Sequence, residues 1–352
     1  FAGVTLGLAD LQTLWLLVAL VIAATIAVTV RSDAWLRLYK YSWAAAGIAL
    51  LGATLLFGEE TNGARLTLRV GPLAGQPSEL LKVILVVFFA GYLSAYRPIL
   101  AGESSRLGPI RLPPLPFLAP MGAMLGIALL VVVVQRDLGA ALLFYAVFLL
   151  LFAVATSRWG TVLLGVALFV AGAWAMVGLF SHLRTRVEIW LDPFADPTGA
   201  GYQVVQGLYA LGRGGLFGTG LGAGLPTVAG RPPIPAIHTD FPFVALGEEL
   251  GLVGLLAILG LYLVIVERGL RIAASAADDF RALLAAGLAF VVGVQAFIIA
   301  AGNLKLIPLT GITLPFVSYG GSSLLANAIV LGLLLALSDR GAAPSPPRET
   351  SR

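Results

Sequence analysis

The chain has 352 residues, of which 59% are hydrophobic and 11% charged, with a mean hydropathy of +0.96. Soluble domains carry about 25% charged residues, so the composition excludes a soluble globular protein and leaves an integral membrane protein. The formal net charge of +4 reads as basic loop residues and does not call for nucleic acid, and the lack of Cys excludes disulfide staples and thiolate chemistry.

Nine segments approach the ~20 apolar residues that a helix needs to cross a bilayer. They run over 11–30, 41–57, 79–96, 115–134, 138–156, 159–179, 243–266, 280–301 and 312–337. Open sheets cannot span lipid and barrel strands alternate in hydrophobicity, so these are helices. The fold class is therefore all-α and polytopic. We expect a single bundle of nine transmembrane helices in one domain over 1–338, without internal repeats, followed by a disordered Pro/Ser-rich tail over 339–352. Between the sixth and seventh helices lies the long polar loop 180–242. Within it, Tyr202–Leu211 is apolar enough for a short interfacial helix. No cleavable signal peptide is visible.

Basic residues fix the orientation. One alternating set of connections holds 13 of them, and the other, leaving out the long loop, holds four: Arg65, Arg69, Arg136 and Lys305. The richer set is cytoplasmic. This places the C-terminus inside, with loop 180–242 and Phe1 outside. A chain that starts outside calls for one further helix upstream.

Polar residues then gather on the outer side, in connections 58–78, 135–137, 180–242 and 302–311. Arg65 and Arg69 in the first are either solvated charges or guanidinium groups suited to gripping a pyrophosphate. In Gln76-Pro77-Ser78-Glu79-Leu80-Leu81-Lys82, Pro77 and Ser78 are good helix-start residues and Glu79 suits the positive end of the helix dipole. Glu79 and Lys82 share a helix face. They read either as a pair anchoring the helix end or as a cation held in a wet cavity, because a lone ammonium is costly in lipid. Gln135-Arg136-Asp137-Leu138-Gly139 forms a tight turn in which Arg136 and Asp137 have an interfacial ion pair as their plainer reading.

Seven glycines crowd positions 212–224. Their G-x-G matches follow no strand, so a nucleotide loop is rejected and an adaptable loop is expected. His182 and His238 are too far apart in sequence to form a metal motif. Asp240 lies in Pro235-Ala236-Ile237-His238-Thr239-Asp240-Phe241-Pro242-Phe243, at the mouth of the seventh helix. A carboxylate there is a functional candidate, and the competing reading is a helix N-cap. Glu248 and Glu249, about two turns further on, read as helix–helix hydrogen-bonding groups. Pro315 is expected in the first turn of the last helix, where Gly320-Gly321-Ser322-Ser323 would allow close helix approach.

Together, Gln76–Lys82, Asp137-Leu138-Gly139, His238–Phe241 with Gly247-Glu248-Glu249-Leu250-Gly251, and Pro308–Ser323 resemble the SEDS family of shape, elongation, division and sporulation proteins, the RodA and FtsW type. The resemblance runs from about Leu11 to Ser338. Members usually have ten helices with both ends inside, which agrees with a further upstream helix. Many also have Pro where this chain has Arg136. The resemblance implies a peptidoglycan glycosyltransferase in the bacterial cytoplasmic membrane, active on the outer face. It would polymerise lipid II beside a class B penicillin-binding protein. It further implies Asp240 as the essential aspartate, with Glu79, Lys82 and Asp137, and less directly Arg65, as its functional polar cluster. Ser318, inside the signature Pro308–Ser323, is a candidate substrate contact.

The chemistry suits these residues. An α-linked donor becoming a β-1,4 link requires inversion, which one displacement and one general base accomplish. The pyrophosphate leaving group needs cationic stabilisation from Lys82, an Arg, or a divalent cation such as Mg2+ or Mn2+, and no nucleotide. The alternative from another class is a lipid II flippase, which would need a polar cavity reaching both leaflets. A solute transporter would be favoured by repeats and interrupted midplane helices. A scaffold would not need Lys82 or Asp240.

Overall fold

A computed structural model of the chain describes residues 2–30, 32–61, 64–70, 73–102, 105–107, 110–224 and 234–339. The chain opens with α1 (Ala2–Thr29), a short α2 (Ala34–Leu38) and α3 (Lys40–Phe57). Three strands, β1 (Glu59–Thr61), β2 (Ala64–Val70) and β3 (Leu73–Gly75), follow as an antiparallel meander. Next come α4 (Pro77–Gly102), a small hairpin of β4 (Ser105–Leu107) and β5 (Ile110–Leu112), α5 (Leu115–Val134), α6 (Leu138–Thr156) and α7 (Trp159–Leu179). The long loop carries α8 (Ser181–Leu191) and α9 (Tyr202–Gly214), so the short helix expected there is present. The bundle closes with α10 (Pro242–Ala274), α11 (Asp279–Asn303) and α12 (Gly321–Ser338). Among the described residues, nine helices are long and apolar enough to cross a membrane, as expected. The tail beyond Asp339 and the side chain of Arg65 lie outside the described residues.

Helices α4 and α11 form the centre. A helix apolar on all sides sits either in a protein core or against lipid. In α4, residues Leu81 to Leu93 are buried without a break, including Lys82. By contrast, α7 buries only Val162. Helix α1 joins the bundle through small residues: Ala19 and Ala23 pack against Leu324 and Ala328 of α12. A Cβ at Gly332 would stand 2.8 Å from the Ala23 carbonyl oxygen, so the two helices meet at backbone distance.

Two departures from the expected helices matter for the site. The last helix begins at Gly321 rather than 312, and Pro315 lies before it, not in its first turn. Pro308 and Pro315 bias the residues before them away from helix. Gly311 and Phe316 take positive φ of 73° and 64°. This irregular segment is partly buried in protein and partly lines the cavities described below, the two settings in which such backbone is tolerated at membrane depth. Tyr262 of α10, for example, donates its hydroxyl to the Pro315 carbonyl at 2.6 Å.

The second departure is a break in α10 at Gly251, with φ 68° and ψ −171°. The backbone groups it frees are taken up by the glycine-rich loop. Leu252 and Val253 N–H donate to the carbonyls of Gly215 and Leu216 at 2.9 and 3.1 Å. Thr219 and Gly220 N–H donate to those of Glu248 and Glu249 at 2.9 and 3.0 Å. A Cβ on Gly251 would lie 2.3 Å from the Gly218 nitrogen, so only glycine fits. The glycines of this loop serve close packing against α10. Glu248 is buried and pairs with Arg213 at 3.0 Å, which ties α9 to the same place.

Candidate active site

Asp240 ends a run of turns over 234–240. Its N–H donates to the Ala236 carbonyl at 2.9 Å, across an Ala236 held at φ 52°. Pro242 takes the first turn of α10 and Phe241 is its N-cap, with no side-chain capping bond. The Asp240 carboxylate is therefore not a helix cap. Three bonds clamp the backbone that carries it. Ser318 Oγ donates to the Thr239 carbonyl at 2.7 Å, Tyr319 N–H donates to the His238 carbonyl at 2.8 Å, and Asn303 Nδ2 donates to the Asp240 carbonyl at 3.0 Å. His238 also sets its ring edge against Tyr319, with centroids 5.7 Å apart.

Ser318 is 1% exposed, and its hydroxyl also accepts the Leu314 N–H at 2.7 Å. Here it holds the Asp240 loop in place and offers no free hydroxyl to a substrate.

The carboxylate opens onto a cavity of about 240 Å³ lined by Arg186, Trp190, Gln203, Lys305 and Gly311, among others. Burial pushes the Asp240 carboxyl above the usual carboxylate range. A hydrogen bond with Thr239 and the charges of Arg186 and His238 oppose that rise. Arg186 comes from α8, and its Nη1 donates to the carbonyls of Leu309 and Thr310 at 3.0 and 3.2 Å. Lys305 sits at φ 60° just after α11. Its carbonyl accepts Trp190 Nε1 at 3.0 Å, and its Nζ donates to the Leu191 carbonyl at 3.3 Å.

A second polar cluster lies at the start of α4. Lys82 is 2% exposed, and its Nζ donates to Glu79 Oε2 at 2.6 Å, Gln295 Oε1 at 2.8 Å and Asn327 Oδ1 at 3.2 Å. Thr313 Oγ1 donates to Glu79 Oε1 at 2.9 Å, and Gln295 Nε2 donates to the Thr313 carbonyl at 2.8 Å. Asp137 caps α6 through the Ala140 N–H at 3.0 Å and accepts Ser78 Oγ at 3.3 Å, so it turns inward instead of pairing with Arg136. Its carboxyl is also raised, by burial first and the nearby Glu79 charge in addition.

The cavity between these groups has a volume of only about 30 Å³. Residues 311–313 wall it off from the Asp240 cavity, and Gly311 lines both. Gly139 explains how α6 approaches that wall: a Cβ there would stand 2.1 Å from Ile312 Cγ2. The structure thus brings Glu79, Lys82 and Asp137 together, with Asp240 across a thin partition. Arg69 is elsewhere, in an exposed pair with Glu59 at 2.7 Å.

The family model of the FtsW, RodA and SpoVE cell cycle proteins matches residues 4–342. The chain belongs to this family. Its relatives in the family include the peptidoglycan glycosyltransferase RodA of Mycobacterium tuberculosis (strain ATCC 25618 / H37Rv). The two are 43% identical over 347 residues, which span 98% of this chain and 73% of that protein. The probable peptidoglycan glycosyltransferase FtsW of Halomonas elongata is 38% identical over 294 residues, 82% of this chain and 71% of its own length. The crystal structure of the rod shape determining protein RodA from Thermus thermophilus superposes with a TM-score of 0.63 at 26% identity. The match covers 97% of this chain and 98% of that one. A chain from a peptidoglycan synthase complex that coordinates polymerization and crosslinking superposes with a TM-score of 0.74 at 29% identity, over 94% of this chain and 90% of its own.

Arg186 is the site residue that the sequence reading passed over, and Lys305 entered it only as a loop charge. Ser181–Leu191 carries Arg184, Arg186 and Glu188 within a few residues. Nothing in that pattern marks one of them as the residue that turns inward. As for a metal, no group of three His, Cys, Asp or Glu side chains converges among the described residues. In its cavity Asp240 faces two cations, a donor set that does not fit a protein-held Mg2+ or Mn2+.

Proposed function

We propose that this chain polymerises lipid II by inverting glycosyl transfer at the outer face of the bacterial cytoplasmic membrane, with Asp240 as general base. It is a multi-pass membrane protein and a peptidoglycan glycosyltransferase. The observation that carries the reading of Asp240 is its placement. The carboxylate is free of capping duty, half-buried, fixed by its backbone and open to a cavity that also holds cations. In the step it serves, the acceptor's 4-oxygen bonds the donor's anomeric carbon. Asp240 takes the hydroxyl proton, and the electron pair of the breaking C–O bond leaves with the diphosphate. No second carboxylate is needed, because a diphosphate departs without protonation. A divalent cation, if one is used, would be held mainly by the substrate's own phosphates and would supply charge stabilisation to the leaving group.

The flippase alternative is disfavoured by the shape of the interior. Both polar cavities lie where α4, α6 and α10 begin and α11 ends, which is one end of the bundle. Beyond Lys82 the interior narrows to an apolar cavity of about 10 Å³ lined by Leu85, Phe89, Phe144, Val147 and Val291. Purified protein supplied with labelled lipid II should yield a ladder of glycan chains on a gel. Transbilayer movement of lipid II in vesicles with no glycan formed would reverse the assignment.

The outer placement of the site rests on the basic-residue asymmetry. In this Cys-free chain, a membrane-impermeant thiol reagent applied from outside should label Ser181→Cys and spare Ser345→Cys. The opposite pattern would invert the topology. The likeness to a chain of a peptidoglycan synthase complex supports a class B penicillin-binding protein as the partner that crosslinks the strands. The lipid-facing helices and their small residues offer such a partner's membrane span a place to pack.

A further inference from the structure

Lys82 is one of the cations that the sequence offers for the departing diphosphate, yet its geometry withholds it. An ammonium has three donors, and here Glu79, Gln295 and Asn327 take all three. The adjoining cavity of about 30 Å³ has room for about one water.

Two other cations line the Asp240 cavity directly, Arg186 and Lys305. The two bonds from Arg186 Nη1 to consecutive carbonyls fix its position. Its Nε and Nη2 donate to no group among the described residues, so one edge of the guanidinium fork remains available. Lys305 Nζ has a single bond, to the Leu191 carbonyl, and two donors left over. The cavity is lined by one carboxylate against two cations, with the Asp137 carboxylate also acting on Arg186 from across the partition. Arg186 also borders an apolar cleft of about 600 Å³ between α5, α6 and α7. A diphosphate held by Arg186 would therefore sit where polar and apolar spaces meet, as the head of an apolar chain requires.

We propose that Arg186 and Lys305 form the diphosphate-binding half of the active site and grip the lipid-linked diphosphate of the donor, while Lys82 is a structural cation. A guanidinium edge matches two phosphate oxygens at once, and an ammonium adds a point charge beside it. As the anomeric C–O bond breaks, the charge gathering on the diphosphate falls on these two groups while Asp240 takes the acceptor's proton. This inference rests on the transferase reading and assigns the leaving-group side of it.

The test is binding, so that it does not depend on turnover. Labelled farnesyl diphosphate is equilibrated with the full chain in detergent, with farnesol, inorganic pyrophosphate and phosphatidylglycerol as competitors. The parent protein should bind it, and Arg186→Gln and Lys305→Gln should each weaken binding about tenfold or more. Arg69→Gln, away from the cavity, should bind as the parent does. Farnesol and phosphatidylglycerol should compete poorly, and inorganic pyrophosphate more weakly than the prenyl diphosphate.

Arg186 also braces residues 309–310, so the Lys305 variant, whose side chain holds one carbonyl, guards against a loss caused by misfolding. Unchanged binding in Lys305→Gln and Arg186→Gln would overturn the proposal. So would equal competition by phosphatidylglycerol, which would mark a general headgroup site, or by pyrophosphate, which would mark a free-anion site. Failure of the parent to polymerise lipid II would instead sink the transferase reading and leave these binding results standing.

Discussion

Asp240→Asn is expected to leave the protein folded and to lower lipid II polymerisation by about 10²–10⁴-fold, the range that a positioned general base contributes. The fold should survive because the bonds that shape the loop use backbone atoms of 238–240, not the carboxylate. The same exchange tests the helix-cap alternative, since Asn caps about as well as Asp. A variant polymerising within a few-fold of the parent would end the claim.

The pH profile supplies a second readout. Burial raises the Asp240 carboxyl, and the base must be ionised to act, so kcat/KM should rise with pH through a value above the ordinary ~3.9 and then level off. Stability runs the opposite way: a raised carboxyl favours the protonated folded form, and that contribution is lost as pH rises through the raised pKa. An acid limb lying at or below the ordinary carboxylate value would count against Asp240 as the group that titrates.

Much of the architecture is legible in the chain because membrane helices announce themselves by length and hydropathy. The nine spans, the long loop and the short helix at Tyr202 all follow from apolar run lengths. The meander at 59–75 was readable in principle, since Arg65-Leu66-Thr67-Leu68-Arg69 alternates with period two, but it is short and sits among loop residues. The break at Gly251 was not readable. Glycine is common in membrane helices, and the loop that satisfies the opened backbone lies over thirty residues upstream.

The site divides in the same way. Asp240, Glu79, Lys82 and Asp137 stand out as charges at the edges of apolar runs. The partners that decide what each can do are remote in sequence. Gln295 and Asn327 lie 213 and 245 residues from Lys82, and the carbonyls that orient Arg186 lie 123 and 124 residues from it. Sequence marks a costly group, and only the fold shows whether its bonds are already taken.

That distinction gives Lys82→Met its expected outcome. Removing the ammonium leaves the Glu79 carboxylate nearly buried, with side-chain exposure of 11%, beside the acceptor oxygens of Gln295 and Asn327. Breaking one side of a buried pair costs about 3–5 kcal/mol, so thermal denaturation in detergent should move to clearly lower temperature. Activity should fall as well, because Thr313 joins Glu79 to the wall of the Asp240 cavity. The deciding measurement is the double variant Lys82→Met/Glu79→Gln, which removes the stranded charge along with its partner. If Lys82 is structural, the double variant regains part of both the denaturation temperature and the polymerisation rate. If Lys82 instead touches the diphosphate, stability returns without activity, and the leaving-group role reverts from Arg186 and Lys305 to the lysine.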